Sequence, residues 1–156
     1  MRQRDDGGAI DFALDDFLPY RLSIVTNHIS QAFARRYSEA FGLTIPEWRV
    51  MAVLGNFAPL TANQLCRRTA MDKVKVSRAV ASLVAAGHVR KQANPVDRRS
   101  TLLRLAPKGR RTYRRIVPQA LDLEAALTAA LAPGDRDALA ATLAKLEACV
   151  ADLVRA

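Results

Sequence analysis

The chain has 156 residues, half of them hydrophobic, with 24 Lys and Arg against 15 Asp and Glu, a net charge of +9 and a pI near 10.4. That length predicts one domain with a core of its own, and no apolar run approaches the roughly eighteen residues of a membrane span. Two His, no Gly-rich phosphate loop, no nucleophile elbow and no clustered carboxylates leave catalysis without its usual groups, whereas the excess of cations is the electrostatic footprint of a nucleic-acid binder.

Residues 1–8 are polar, with Asp5-Asp6-Gly7-Gly8, and read as a mobile tail. The N-terminus has neither an apolar signal core nor a transit-like composition, which predicts a soluble cytoplasmic protein. From about Leu14 to Phe41 the apolar residues Leu18, Leu22, Val25, Ile29, Ala32, Phe33, Tyr37 and Ala40 follow a helical period. Gly42 ends that helix, and Pro19 is tolerated in its first turn. Arg21 and His28, seven residues apart, share one of its faces. Taken alone they read as a solvated or salt-bridged pair.

Thr44-Ile45-Pro46-Glu47 is a capping box with proline in the first turn. It opens a helix through Trp48, Met51, Leu54 and Phe57 that is apolar nearly all round and therefore buried, with Trp48 as a core anchor. Thr61-Ala62-Asn63-Gln64 is a second capping box, which turns Leu65, Cys66 and Thr69 inward. After a tight turn, Asp72 caps another helix, and Gly87 stops it.

That helix carries Val76, Ala79, Val80, Leu83 and Val84 on one side. The opposite side carries Val74, Arg78, Ala81, Ser82 and Ala85, flanked by Lys75 and Ser77. A face this slim and basic suits a major groove, which admits a helix only where its leading side chains are small and offers acceptors to Arg and Lys. A solvated surface helix would carry mixed Glu and Lys pairs, yet no acid follows Asp72 until Asp97.

A hairpin comes next, from His88 to Gln92 and from Ser100 to Leu105, with Asn94-Pro95 and Asp97-Arg98-Arg99 at its tip. An arginine on a thin loop fits a narrow minor groove. Asp97 would be repelled by DNA, so it is expected to hydrogen-bond a neighbouring arginine and hold the loop in shape. Beyond the hairpin, Pro107-Lys108-Gly109 opens a long helix through Leu127 in which Pro118 should kink or be absorbed. Pro133-Gly134-Asp135 breaks the chain. The last helix places Leu139, Leu143, Leu146, Val150 and Leu153 at steps of four and three, the spacing of a helix-helix seam.

Helix, turn, helix and basic hairpin is a DNA-reading arrangement, and its residues resemble the MarR family of winged-helix transcriptional regulators. The match runs from about Phe17 to the C-terminus. It is carried by Leu43 to Val50, by Val76-Ser77-Arg78 with Leu83 and Gly87-His88-Val89, and above all by Asp97-Arg98-Arg99-Ser100 running on to Leu103, Leu105 and Gly109. Ala106 departs from a frequent Thr and Lys75 from a frequent small polar residue, so the operator sequence does not carry over.

The resemblance implies a mainly α fold with a small β-hairpin wing, a winged helix-turn-helix lobe on a helical dimerisation base. Residues 1–156 are then one domain, with 9–42 and 107–156 as the base and 44–106 as the DNA-binding lobe. The implied partners are a second copy of the chain and a double-stranded, inverted-repeat operator, touched by Lys73, Lys75, Ser77, Arg78, Ser82, Arg98 and Arg99 around a wing organised by Asp97. The implied activity is that of a repressor, not an enzyme. It is released by a small aromatic carboxylate or phenol held by Arg21 and His28 against Trp48, in the crevice between base and lobe. An architectural DNA binder with little sequence preference is the alternative.

No cofactor or metal is expected, since Cys66 and Cys149 lack a metal-ligand spacing and read as buried thiols. Cys66, beside Arg67 and Arg68, is the one with surroundings a redox thiol needs.

Overall fold

The computed structural model describes residues 12–154, and the tail expected at residues 1–8 lies outside them. The chain divides into two compact units, residues 1–45 and 46–156.

In the first unit a short 3-10 turn, Leu14–Asp16, leads into α1, Leu18–Phe41. The helix begins at Leu18 and not at Leu14 because Phe17 is extended, with φ −73° and ψ 109°. Pro19 then takes the second helical position, where a missing N–H has no partner to lose. Gly42, at φ +65°, closes the helix by donating its N–H to the Ser38 carbonyl at 2.8 Å. Tyr37 is fully buried, with the Phe33 ring edge-on to it at 4.9 Å. Leu18, Leu22, Val25 and Ile29, spaced four, three and four apart, remain exposed.

The second unit is built on α2, Ile45–Phe57, which buries Glu47, Trp48, Val50, Met51 and Leu54. These lie on one side of the helix, so it is not buried all round as its composition predicts: Gly55, Asn56 and Phe57 at its end are exposed. Two further helices follow, α3 (Ala62–Thr69) and α4 (Lys73–Ala85), then the strands β1 (Val89–Ala93) and β2 (Thr101–Leu105). The strands pair antiparallel in the register Val89 with Leu105, Lys91 with Leu103 and Ala93 with Thr101. Leu60 adds a further bridge, exchanging main-chain hydrogen bonds of 3.2 and 2.8 Å with Leu103. Leu60, three residues past the end of α2, thus ties that segment of the chain to the middle of β2.

The apolar face of α4 meets α3 and the hairpin: Val76, Ala79, Val80 and Leu83 are buried with Leu65, Val89, Leu103 and Leu105. Each fully buried Val or Leu stabilises by about 1.5–3 kcal/mol, so this small cluster is enough to fix helix and hairpin to one another. Between α2 and α3, the guanidinium of Arg68 lies 4.0 Å over the Phe57 ring.

Two long helices complete the unit, α5 (Pro107–Thr128) and α6 (Asp135–Leu153). Pro118 is absorbed within α5, which stays continuous through it. Gly134, at φ +88°, precedes α6, and Arg136 reaches back to Glu124 at 2.6 Å. That exposed pair adds little stability. None of the α6 residues is buried: Leu139, Leu143, Val150 and Leu153 are exposed and Leu146 is half-buried. Among the described residues, no helix is long and apolar enough to cross a membrane.

Candidate nucleic-acid interface

The α3–α4 unit is set by its two caps. Thr61 Oγ1 accepts from the Gln64 N–H at 3.3 Å while Gln64 Oε1 accepts from the Thr61 N–H at 2.8 Å, a reciprocal box that starts α3. Ala70, at φ +52°, turns the chain in the left-handed region, and two residues later Asp72 caps α4 by accepting from the Lys75 N–H at 2.8 Å. That main-chain bond holds the Asp72 carboxyl below its ordinary value of 3.8, with the Lys75 ammonium, 3.3 Å away, acting in the same direction.

With one face of α4 buried, the other is turned outward: Lys73, Val74, Lys75, Ser77, Arg78, Ala81, Ser82 and Ala85 are all exposed or half-exposed. Three of the eight are cations, none is acidic, and four are Ala or Ser. Asp72, the acid nearest this face, is neutralised locally by Lys75.

The wing tip is held by its own polar side chains. Asn94 Oδ1 accepts from the Val96 N–H at 3.0 Å and Asn94 Nδ2 donates to Ser100 Oγ at 2.7 Å. Asp97 Oδ1 accepts from the Arg99 main-chain N–H at 3.0 Å, and the Asp97 carbonyl accepts from the Ser100 N–H at 3.0 Å and from its hydroxyl at 3.1 Å. Asp97 therefore shapes the loop through the backbone of Arg99. The arginine it bonds is Arg99, through the main chain and not the guanidinium, and residues 94–100 lie between the strands in turn geometry. Both guanidiniums, Arg98 and Arg99, belong to exposed residues.

Helix and wing enclose a groove of about 470 Å³ whose walls include Asn63 and Cys66 of α3, Lys73, Ser77 and Ala81 of α4, and Lys91, Arg99 and Thr101 of the hairpin. The fold thus brings Lys73, Ser77 and Arg99 onto one surface. Lys75, Arg78, Ser82 and Arg98 are exposed outside its walls. Lys91 and Asn63 are absent from the residues expected to touch DNA. Lys91 is nevertheless legible in the sequence, since it stands opposite Leu103 and two residues from buried Val89, on the hairpin face turned toward the helices.

The residues expected to hold a ligand are placed differently. Arg21 and His28 are exposed on α1, whereas Trp48 is buried and stacks on Tyr113, ring centroids 6.0 Å apart. The Tyr113 hydroxyl accepts from Asn56 Nδ2 at 3.0 Å. Cys66 is half-buried and Cys149 exposed, so neither is the buried thiol expected: the inward face of α3 is filled by Leu65 and Thr69, and no residue of α6 is buried. Among the described residues no group of His, Cys, Asp or Glu could hold a metal ion.

The model of the MarR family matches residues 41–100, from the end of α1 to the wing tip. A probable transcriptional regulator from Pseudomonas aeruginosa is 30% identical over 86% of this chain and 99% of its own, with a TM-score of 0.72. A MarR-family transcriptional regulator from Silicibacter pomeroyi is 28% identical over 88% of this chain and 92% of its own, with a TM-score of 0.76. BpsR of Bordetella bronchiseptica, whose DNA binding is regulated by 6-hydroxynicotinic acid, shares the fold at a TM-score of 0.76 and 22% identity, over 87% of this chain and 96% of its own. No curated protein matches the sequence.

Proposed function

Because the chain belongs to the MarR family of transcriptional regulators, which are not enzymes, we propose that it is a cytoplasmic homodimeric repressor that reads an inverted-repeat operator and is released by a small aromatic carboxylate or phenol. The observation that carries the reading is the outward face of α4, slim and free of acids, beside a groove walled by Lys73, Lys91 and Arg99. Lys73, Lys75, Ser77, Arg78 and Ser82 approach the major groove, and Arg98 and Arg99 follow the adjacent minor groove from a tip shaped by Asp97. Residues 44–106 are then the DNA-binding lobe, and the helices of 9–42 and 107–156 the dimerisation base.

Uncovered apolar stripes on α1 and α6 support the dimer, for leucines spaced four and three apart are a seam that a second helix covers. In a dimer the two copies of α4 stand about one DNA turn apart, roughly 34–36 Å. The effector class is supported by the regulation of BpsR by 6-hydroxynicotinic acid, an aromatic acid with a ring hydroxyl. Arg21, His28 and Trp48 are the residues whose substitution tests it.

Selection from random duplex DNA by the purified full-length protein is the deciding experiment. Enrichment of one inverted repeat, bound at least about a thousandfold tighter than unrelated DNA, is the outcome expected. Enrichment of no sequence would make the protein an architectural DNA binder instead.

A further inference from the structure

Behind the wing, away from the groove between α4 and the hairpin, lies a second cavity of about 110 Å³, lined by Leu54, Gly55 and Ala58 of the α2 end, Arg104 and Leu105 of β2, and Arg110 of α5. It shares no residue with the groove. Arg104 has its Nε sealed inside the protein with no hydrogen-bond partner. Across the hairpin its directly paired residue is Arg90, a second cation on the same face. Arg110 donates one Nη1 hydrogen bond to the Leu105 carbonyl at 3.0 Å, which leaves most of its five donors free. Neither the ion pair of Lys75 with Asp72 nor that of Arg136 with Glu124 includes any of these three arginines.

Like charges set directly across a hairpin repel, and a buried donor left unmade is unfavourable, so this arrangement is short of one component, a negative charge. The planar fork of a guanidinium matches two oxygens on one atom. A cavity of this volume admits a small ion and not a larger metabolite. Leu54, Ala58 and Leu105 supply apolar wall beside the two arginines.

We propose that the cavity between the α2 end, β2 and the start of α5 is a binding site for a small oxyanion, of the size of acetate or inorganic phosphate, held by Arg104 and Arg110. Since Arg104 belongs to the wing and Arg110 to α5, the bound anion ties the wing root to that helix. The site depends on neither the operator nor the effector.

The test uses the full-length protein in Tris chloride, titrated separately with sodium acetate and sodium phosphate at constant ionic strength. Binding is followed by the 15N–1H resonance of the Arg104 Nε, assigned by its loss in Arg104→Gln, and by the melting temperature. A saturable shift is expected, with apparent affinity weakened at least tenfold in Arg110→Gln and unchanged in Lys145→Gln, which removes one exposed charge from α6. Loss of the melting-temperature rise in Arg104→Gln, with helical circular dichroism retained, supports the same site. Should Arg104→Gln not fold, Arg110→Gln, changed at an exposed residue, decides alone. Saturation by acetate only assigns a carboxylate ligand, by phosphate only a phosphate, and by both a general oxyanion site. Shifts that stay linear with concentration, or that are equal in the wild type and Arg110→Gln, would show that the cavity holds water only and overturn the proposal.

Discussion

Gly109 presses against the main-chain carbonyl of His88 so closely that the first carbon of any side chain would overlap that oxygen, which also accepts from the Ala106 N–H at 2.9 Å. The start of α5 is thereby clamped to the start of β1, at the root of the wing. Because the obstacle is backbone and not a movable side chain, Gly109→Ala must displace one element from the other. A loss of about 1–3 kcal/mol in stability is expected, read as a lower midpoint of urea unfolding, together with weaker DNA binding. An unchanged midpoint would mean that the junction yields without strain.

His88 itself should make the fold sensitive to acid. Its side chain is 6% exposed, with Nδ1 unpartnered, and burial first, then the Lys108 ammonium, hold its pKa below the ordinary 6.5 against the opposing Glu47 carboxylate. The unfolded chain thus binds the proton more readily than the native one. The stability contributed by neutral His88 is complete above pH 6.5 and falls as the pH drops from there toward the lowered native value. Melting temperature measured between about pH 8 and 5 should decline below the ordinary histidine pKa in the wild type and decline less in His88→Gln. Parallel curves would assign the acid sensitivity to other groups.

Arg78 stands on the exposed face of α4, away from the groove walls. Arg78→Ala is expected to weaken operator binding by about 1–3 kcal/mol and to relax preference at particular base pairs, measured against single-base operator variants. A uniform loss across the panel would reduce Arg78 to a phosphate contact.

At the wing tip, Asp97 receives the Arg99 main-chain N–H, so Asp97→Ala should weaken DNA binding although it removes a negative charge. Salt titration separates this from weakened attraction. Arg98→Ala and Arg99→Ala should lower the log-log slope by about 0.9 for each phosphate no longer neutralised, while Asp97→Ala leaves it nearly unchanged. Tighter binding by Asp97→Ala would mean that the carboxylate only repels DNA.

Leu146 is half-buried at the middle of the α6 stripe whose other members are exposed. If a second chain covers that stripe, Leu146→Asp puts an unpaired charge into the dimer core, and sedimentation should show monomers or unfolded chains. A soluble dimer of unchanged affinity would take α6 out of the interface.

Local chemistry makes most of the helix-turn-helix and hairpin legible in advance. A cap acts within three residues, so Thr61 with Gln64 and Asp72 with Lys75 announce the starts of α3 and α4 wherever the rest of the chain goes. Helical periodicity likewise separates buried Val76, Ala79, Val80 and Leu83 from exposed Arg78 and Ser82. The same periodicity places the start of α1 four residues early, because the apolar pattern continues through Leu14 while the backbone at Phe17 leaves the helix.

What the sequence by itself determined, then, is where the helices, turns and wing lie and which face of each is apolar, since these depend on neighbours a few residues away. Only the tertiary structure decided what meets across the chain. Leu60 bridges Leu103, Gly109 admits the His88 carbonyl, Lys91 joins Lys73 on one groove, and Arg104 meets Arg110 around a cavity. It also decided that Asp97 serves a backbone N–H and not a guanidinium. The physical reason is that such contacts join residues with no common period. Their partners are chosen by how hairpin and helices pack, which no local pattern of side chains encodes.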